Sequence, residues 1–155
     1  MHLAKLVSRP PVTLGPDATI VEAAQAMREK HVGAVVAVDE ERHPLGILTD
    51  RDIVVSIIAQ DAKDLLRLSL RDVCNLAPIV AREDEDLEEA VMRMRRHGIR
   101  RVPVVDRHGR LTGVFSLDDA LGSVAAELAD VAGLLRAELI REETRRVTPK
   151  KSQRR

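Results

Sequence analysis

Gly46-Ile47-Leu48-Thr49-Asp50-Arg51-Asp52 and Gly113-Val114-Phe115-Ser116-Leu117-Asp118-Asp119 share one form, Gly-h-h-Ser/Thr-x-x-Asp with h apolar, and stand 67 positions apart. The same offset governs the flanking chain. Residues 11–59 laid over 78–126 without a gap agree at 13 of 49 positions, where chance gives about three, so one unit is written twice. The identities include Pro11/Pro78, Glu22/Glu89, Met27/Met94, Val35/Val102, Asp39/Asp106, Gly46/Gly113 and Asp52/Asp119.

Each unit reads as strand, helix, strand, strand, helix. Thr19-Ile20-Val21-Glu22 is a capping-box signature, and Asp86 with Glu89 three residues on is its counterpart. Ile20, Ala23, Ala24 and Met27 follow at helical spacing, as do Leu87, Ala90, Val91 and Met94. Arg95, Arg96, His97 and then Gly98 predict a helix end with cations on its negative pole and a left-handed cap. The β-rich runs Ala34–Val38 and Val102–Val105 come next. Turns at Glu40–Pro44 and Arg107–Gly109 precede second strands at Leu45–Leu48 and Leu111–Phe115, and helices begin near Thr49 and Ser116. A short helix is expected around Leu68–Val73, matching Leu3–Val7.

The fold class is therefore α/β (α+β): tandem β-α-β-β-α repeats about a pseudo-two-fold axis, plus a C-terminal helix. One small sheet cannot bury its exposed face alone; two repeats back to back can, and they leave clefts between them. The expected division is repeat 1 at 3–60, a linker at 61–69, repeat 2 at 70–126, a helical extension at 127–140 and a basic, frayed tail at 141–155.

Composition narrows the function. Charged residues are 32% of the 155 and apolar ones 45%, which describes folded material that is not a disordered tail. No apolar run approaches the ~20 residues that cross a bilayer. No secretory signal is visible at the N-terminus, so a cytoplasmic protein without a membrane partner is expected. The 25 basic and 25 acidic groups cancel, leaving no overall field to steer the molecule to nucleic acid. Phe115 is the single aromatic residue among Phe, Trp and Tyr, which argues against base stacking on a binding face.

The two Gly-h-h-Ser/Thr-x-x-Asp segments in register, together with Ile99-Arg100-Arg101-Val102-Pro103-Val104-Val105-Asp106, resemble a CBS (cystathionine-β-synthase-type) domain pair, the Bateman module, over residues 3–126. The resemblance implies a regulatory module that binds AMP, ATP, NAD or a similar adenosine ligand in the clefts, changes conformation, and signals to a separate effector protein. It implies no catalytic cofactor, no enzymatic activity, and a homodimer. It assigns the ribose hydroxyls to Asp52 and Asp119, and the phosphate to Thr49 or Ser116 and to basic residues opening the other repeat's middle strand.

The residue chemistry fits. A carboxylate can accept from two vicinal hydroxyls, guanidinium groups grip phosphate bidentately, and helix N-termini favour anions. Gly46 and Gly113 permit close backbone approach by a flat base, beside Ile47 and Val114. Plain capping pairs, Thr49 with Asp52 and Ser116 with Asp119, are the competing reading, weakened because Asp reaches back less well than Glu. By the family's cross-repeat geometry, Arg100 and Arg101 serve Asp52 and Thr49. The matching positions for Asp119 and Ser116 are Gly33 and Ala34, so the second cleft is expected to lack cations.

Other residues read as structural. Cys74 matches Val7 and reads as packing. None of His2, His31, His43, His97 and His108 stands at metal-ligand spacing with another, and no nucleophile stands with a base. Leu121, Val124, Leu128, Val131 and Leu135 keep heptad spacing, either packing on their own module or extending a dimer. Residues 141–155 hold seven basic and two acidic groups, a tail suited only to non-specific, salt-sensitive contact with nucleic acid or acidic lipid. A scaffold protein with vestigial clefts is the alternative from another class.

Overall fold

The computed structural model describes residues 2–7, 10–59, 64–74 and 77–147. The chain forms two units, Met1–Ala120 and Leu121–Arg155. Among the described residues no helix is long and apolar enough to cross a membrane.

In the first unit one element order occurs twice. The first repeat comprises β1 (Thr13–Leu14), α1 (Ile20–Lys30), β2 (Ala34–Val38), β3 (Pro44–Thr49) and α2 (Asp50–Asp52), which continues as a π-helical stretch, Ile53–Ile58. After a 3-10 turn (Leu65–Arg67) and α3 (Leu70–Val73), the second comprises β4 (Ala81–Arg82), α4 (Leu87–His97), β5 (Arg101–Val105), β6 (Leu111–Ser116) and the start of α5 (Leu117–Val147). Each sheet has three strands, in the orders β1-β2-β3 and β4-β5-β6. The outer pair is parallel and the hairpin antiparallel in both.

Local chemistry fixes the ends of these elements. Thr19 Oγ1 accepts from Glu22 N at 3.2 Å while Glu22 Oε2 accepts from Thr19 N at 2.7 Å, completing the box on α1. Asp86 takes the N-cap position of α4 without capping through its side chain; it bridges instead to His2, whose Nδ1 lies 3.4 Å from Asp86 Oδ1. The expected second box is therefore absent. Both helices end on a left-handed residue, Gly98 at φ 64° and His31 at φ 52°. Glycine meets that conformation without cost, whereas histidine in the same structural place bears some strain.

Apolar burial gives each repeat its own core. Ile20, Ala23, Met27, Val35, Ala37, Leu48, Ile53 and Ile57 form the first; Ala81, Ala90, Met94, Val102, Val104 and Phe115 lie in the second. The leading segments are exchanged. Leu3, Leu6 and Val7 pack in the second core, and Leu68, Leu70, Val73 and Cys74 pack in the first. The repeats are joined further by Leu111 N donating to Arg42 O at 2.9 Å and by Ile20 N donating to Leu68 O at 3.0 Å. The boundary at 60–70 in sequence is thus not a boundary between cores.

In the second unit α5 continues to Val147, six residues beyond Arg141, where the turn to basic composition predicted fraying. Leu, Ala, Glu and Arg hold good helix propensity through this stretch, and the breaker in the sequence is Pro149. The rest of the expected tail, 148–155, lies outside the described residues. The heptad leucines and valines are exposed: Leu121, Val124, Leu128, Val131 and Leu135 each retain 48–65% of their surface.

Candidate functional site: two clefts between the repeats

The chain returns to each cleft at a strand-to-helix corner. In the first, β3 delivers Ile47 and Thr49, α2 delivers Asp50, Arg51 and Asp52, and the second repeat contributes Ile99, Arg100, Arg101, Leu117 and Asp118. The volume is about 530 Å³, within the usual range for a small-molecule site. The predicted convergence of Thr49 and Asp52 with Arg100 and Arg101 occurs here. Asp50, Arg51 and Asp118 escaped sequence reasoning; their acids set three carboxylates against three guanidiniums.

The second cleft, about 300 Å³, is lined by Pro10, Pro11, His31, Val32, Gly33, Ala34, Val114, Ser116 and Asp119 together with Arg101. Its expected lack of cations is therefore corrected. Arg101 opens β5 opposite Ser116 in the antiparallel register, so its backbone lies beside the second motif. Its side chain reaches Gly33, where Nη2 stands 3.0 Å from the place a Cβ would occupy. His31, left-handed at the end of α1, adds an imidazole ring.

Both motif acids also act as caps. Asp52 Oδ2 accepts from Thr49 N at 3.0 Å and Thr49 Oγ1 at 2.7 Å, and Thr49 Oγ1 accepts from Asp52 N at 3.1 Å. Asp119 and Ser116 repeat this at 2.8, 2.6 and 3.2 Å. Asp does reach back here, in both repeats. Each hydroxyl's single proton points at its own carboxylate, so contact with a phosphate requires that proton to turn away. Each half-buried carboxylate keeps its second oxygen, Oδ1, outside the cap.

Gly46 and Gly113 line neither cleft. Gly46 is buried in β3 opposite Ala37. At Gly113 an added Cβ would overlap the Val7 side chain, so the missing side chain admits the N-terminal segment, not a ligand base. Ile47 and Val114, by contrast, are half-buried and line the first and second clefts respectively.

Cys74 is buried, and that burial, with the Asp52 carboxylate nearby, pushes its thiol up to about 11, which agrees with a packing role. No group of three or more His, Cys, Asp or Glu among the described residues has a metal-holding arrangement.

These features define a tandem-repeat module with paired ligand-sized clefts. The CBS domain family model matches residues 3–59 and 70–126, and the chain belongs to that family. An uncharacterised protein of Methanopyrus kandleri is 38% identical over 121 residues, 78% of this chain and 61% of that protein, so the chain spans about three-fifths of this relative. A CBS domain protein of Pyrobaculum aerophilum, solved in complex with AMP, superposes with a TM-score of 0.70 at 33% identity, covering 77% of this chain and 89% of that one. The CBS domain pair of protein MJ0100, solved with 5′-methylthioadenosine and S-adenosyl-L-methionine, gives 0.73 at 26% identity, covering 82% and 98%.

Proposed function

We propose that this chain is a non-catalytic regulatory module that binds an adenosine nucleotide or related adenosine ligand, with the phosphorylated ligand in the first cleft, and passes the resulting change to a separate protein. The observation that carries this reading is the meeting of Asp52 from one repeat with Arg100 and Arg101 from the other around one cavity. In this reading Asp52 Oδ1 accepts from the ribose hydroxyls, Ile47 and Ile99 flank the base, and the guanidiniums of Arg51, Arg100 and Arg101 meet the phosphate. The adenosine ligands of the two superposed structures supply the ligand class.

A ligand that binds only the ordered cleft stabilises the fold, by about 2.7 kcal/mol at a hundred times its dissociation constant. Titration calorimetry with AMP, ATP and NAD is expected to give heat, and melting curves are expected to rise. Asp52→Ala is expected to weaken AMP at least about tenfold, since hydrogen bonds to a charged acceptor contribute about 1.5–3 kcal/mol. Absence of both heat and thermal shift at millimolar nucleotide would defeat the reading.

We also propose that the chain works as a homodimer. Val54, Val55 and Ile58 project from the π-helical stretch with 57%, 49% and 55% of their surface exposed, a contiguous apolar patch of the kind that marks an interface. The same exposure favours the scaffold alternative. That alternative predicts that partner capture survives replacement of Asp52 and Asp119 together.

A further inference from the structure

The second cleft is not built as a copy of the first, and the difference converges on one side chain. Arg101 lines both cavities. Its counterpart in the first repeat is Ala34, so no second guanidinium fills the mirror-image role. Gly33 makes the reach possible. A Cβ there would stand 3.0 Å from Arg101 Nη2 and 3.1 Å from Asp50 Oδ2, so the guanidinium and the Asp50 carboxylate meet the same bare face of the backbone. Gly33 belongs to the second cleft and Asp50 to the first. Arg101 therefore stands in the partition between them.

We infer that Arg101 is a phosphate ligand shared by the two clefts, so that the chain holds one phosphorylated ligand at a time and leaves the other cleft to an uncharged nucleoside. This rests on the reading of the clefts as adenosine-ligand sites. A guanidinium gives its paired donors to one phosphate in bidentate geometry. If it bridged two phosphates instead, one positive charge would face two dianions across its own width, and their repulsion would oppose the second. Among the described residues, the first cleft keeps Arg51 and Arg100 as further cations, whereas the second has His31 beside Arg101. Phosphate thus draws Arg101 toward the first cleft, and the second loses this guanidinium when the first fills. Uncharged ligands make no claim on Arg101, and for them the clefts are independent.

The test compares adenosine with AMP by calorimetry on the full chain, counting sites per chain. Adenosine is expected to fill two sites that do not influence each other. AMP is expected to fill one site, with the second weakened about tenfold or more, in the range typical of coupled sites. In Arg101→Gln, which removes the shared cation, the first AMP event is expected to weaken and the gap between the two events to narrow to what Arg51 and Arg100 alone supply. Asp119→Ala is expected to remove the weak AMP event and one adenosine site. A melting curve reports whether each variant is folded, and Arg101→Met, likewise uncharged, serves if Arg101→Gln is not.

Two equal AMP events in the unaltered chain would overturn the coupling while leaving the nucleotide reading in place. So would a single adenosine site, or a spread between AMP events as wide in the folded Arg101 variant as in the unaltered chain. Binding of neither ligand would overturn the parent reading and this one together.

Discussion

Asp52 and Asp119 each cap a helix with one of two oxygens. Oδ2 closes a helix cap against the hydroxyl and backbone N–H of Thr49 or Ser116, and Oδ1 faces away from that cap. Sequence spacing revealed the pairs and left capping and ligand contact compatible. The geometry shows the caps and leaves one oxygen of each carboxylate outside them, the one given to the ribose in the proposed reading. Arg101 was legible as a cation opening β5. Its place in both clefts was not, because that depends on the antiparallel register that sets it opposite Ser116 and on the bare backbone at Gly33. Cys74 offers a test at this scale. Burial and Asp52 hold its thiol at about 11, so at pH 8 the folded protein presents little thiolate. Alkylation is expected to run about a hundredfold slower than in denaturant, as mass spectrometry of quenched time points would show; equal rates would mean that the first core is open.

The hairpins and helix ends show where elements follow from sequence and where they do not. Strands and helices fell where periodicity put them, since each apolar stripe has a single core to face. The cap on α4 did not, because His2 engages Asp86 from outside the local window. The β2–β3 turn carries a comparable long-range contact. His43 Nδ1 lies 3.0 Å from Asp39 Oδ2 and its Nε2 lies 3.3 Å from His108 O in the other hairpin. Only the doubly protonated ring donates to both, and the Asp39 hydrogen bond raises the His43 pKa above its ordinary 6.5. A raised folded value means stabilisation fully present below pH 6.5 and lost as pH climbs through that raised value. The melting temperature of the unaltered chain is therefore expected to exceed that of His43→Gln by more at pH 5.5 than at pH 9. A pH-independent gap would show that the ring's charge plays no part.

For the whole molecule, duplication was plain from the 67-residue offset, and with it the two sheets and the clefts between repeats. The exchange of leading segments was not, because Leu3 and Leu70 match in sequence without revealing whose core each enters. Both side chains are fully buried. Leu3→Ala is expected to cost about 2–5 kcal/mol, read as a loss in denaturant midpoint. Because Leu3 sits in the second core, hydrogen exchange is expected to quicken first in β5 and β6. Faster exchange confined to the first repeat would contradict the exchange of segments.

That interlocking has a bearing on how the chain matures during synthesis. Until synthesis has passed residue 60, the first core lacks Leu70, Val73 and Cys74, and the turn at Leu3–Lys5 has no partner to receive it. Neither half can lock early. The nascent polypeptide must wait for its later portion, and truncated products stay open to proteases.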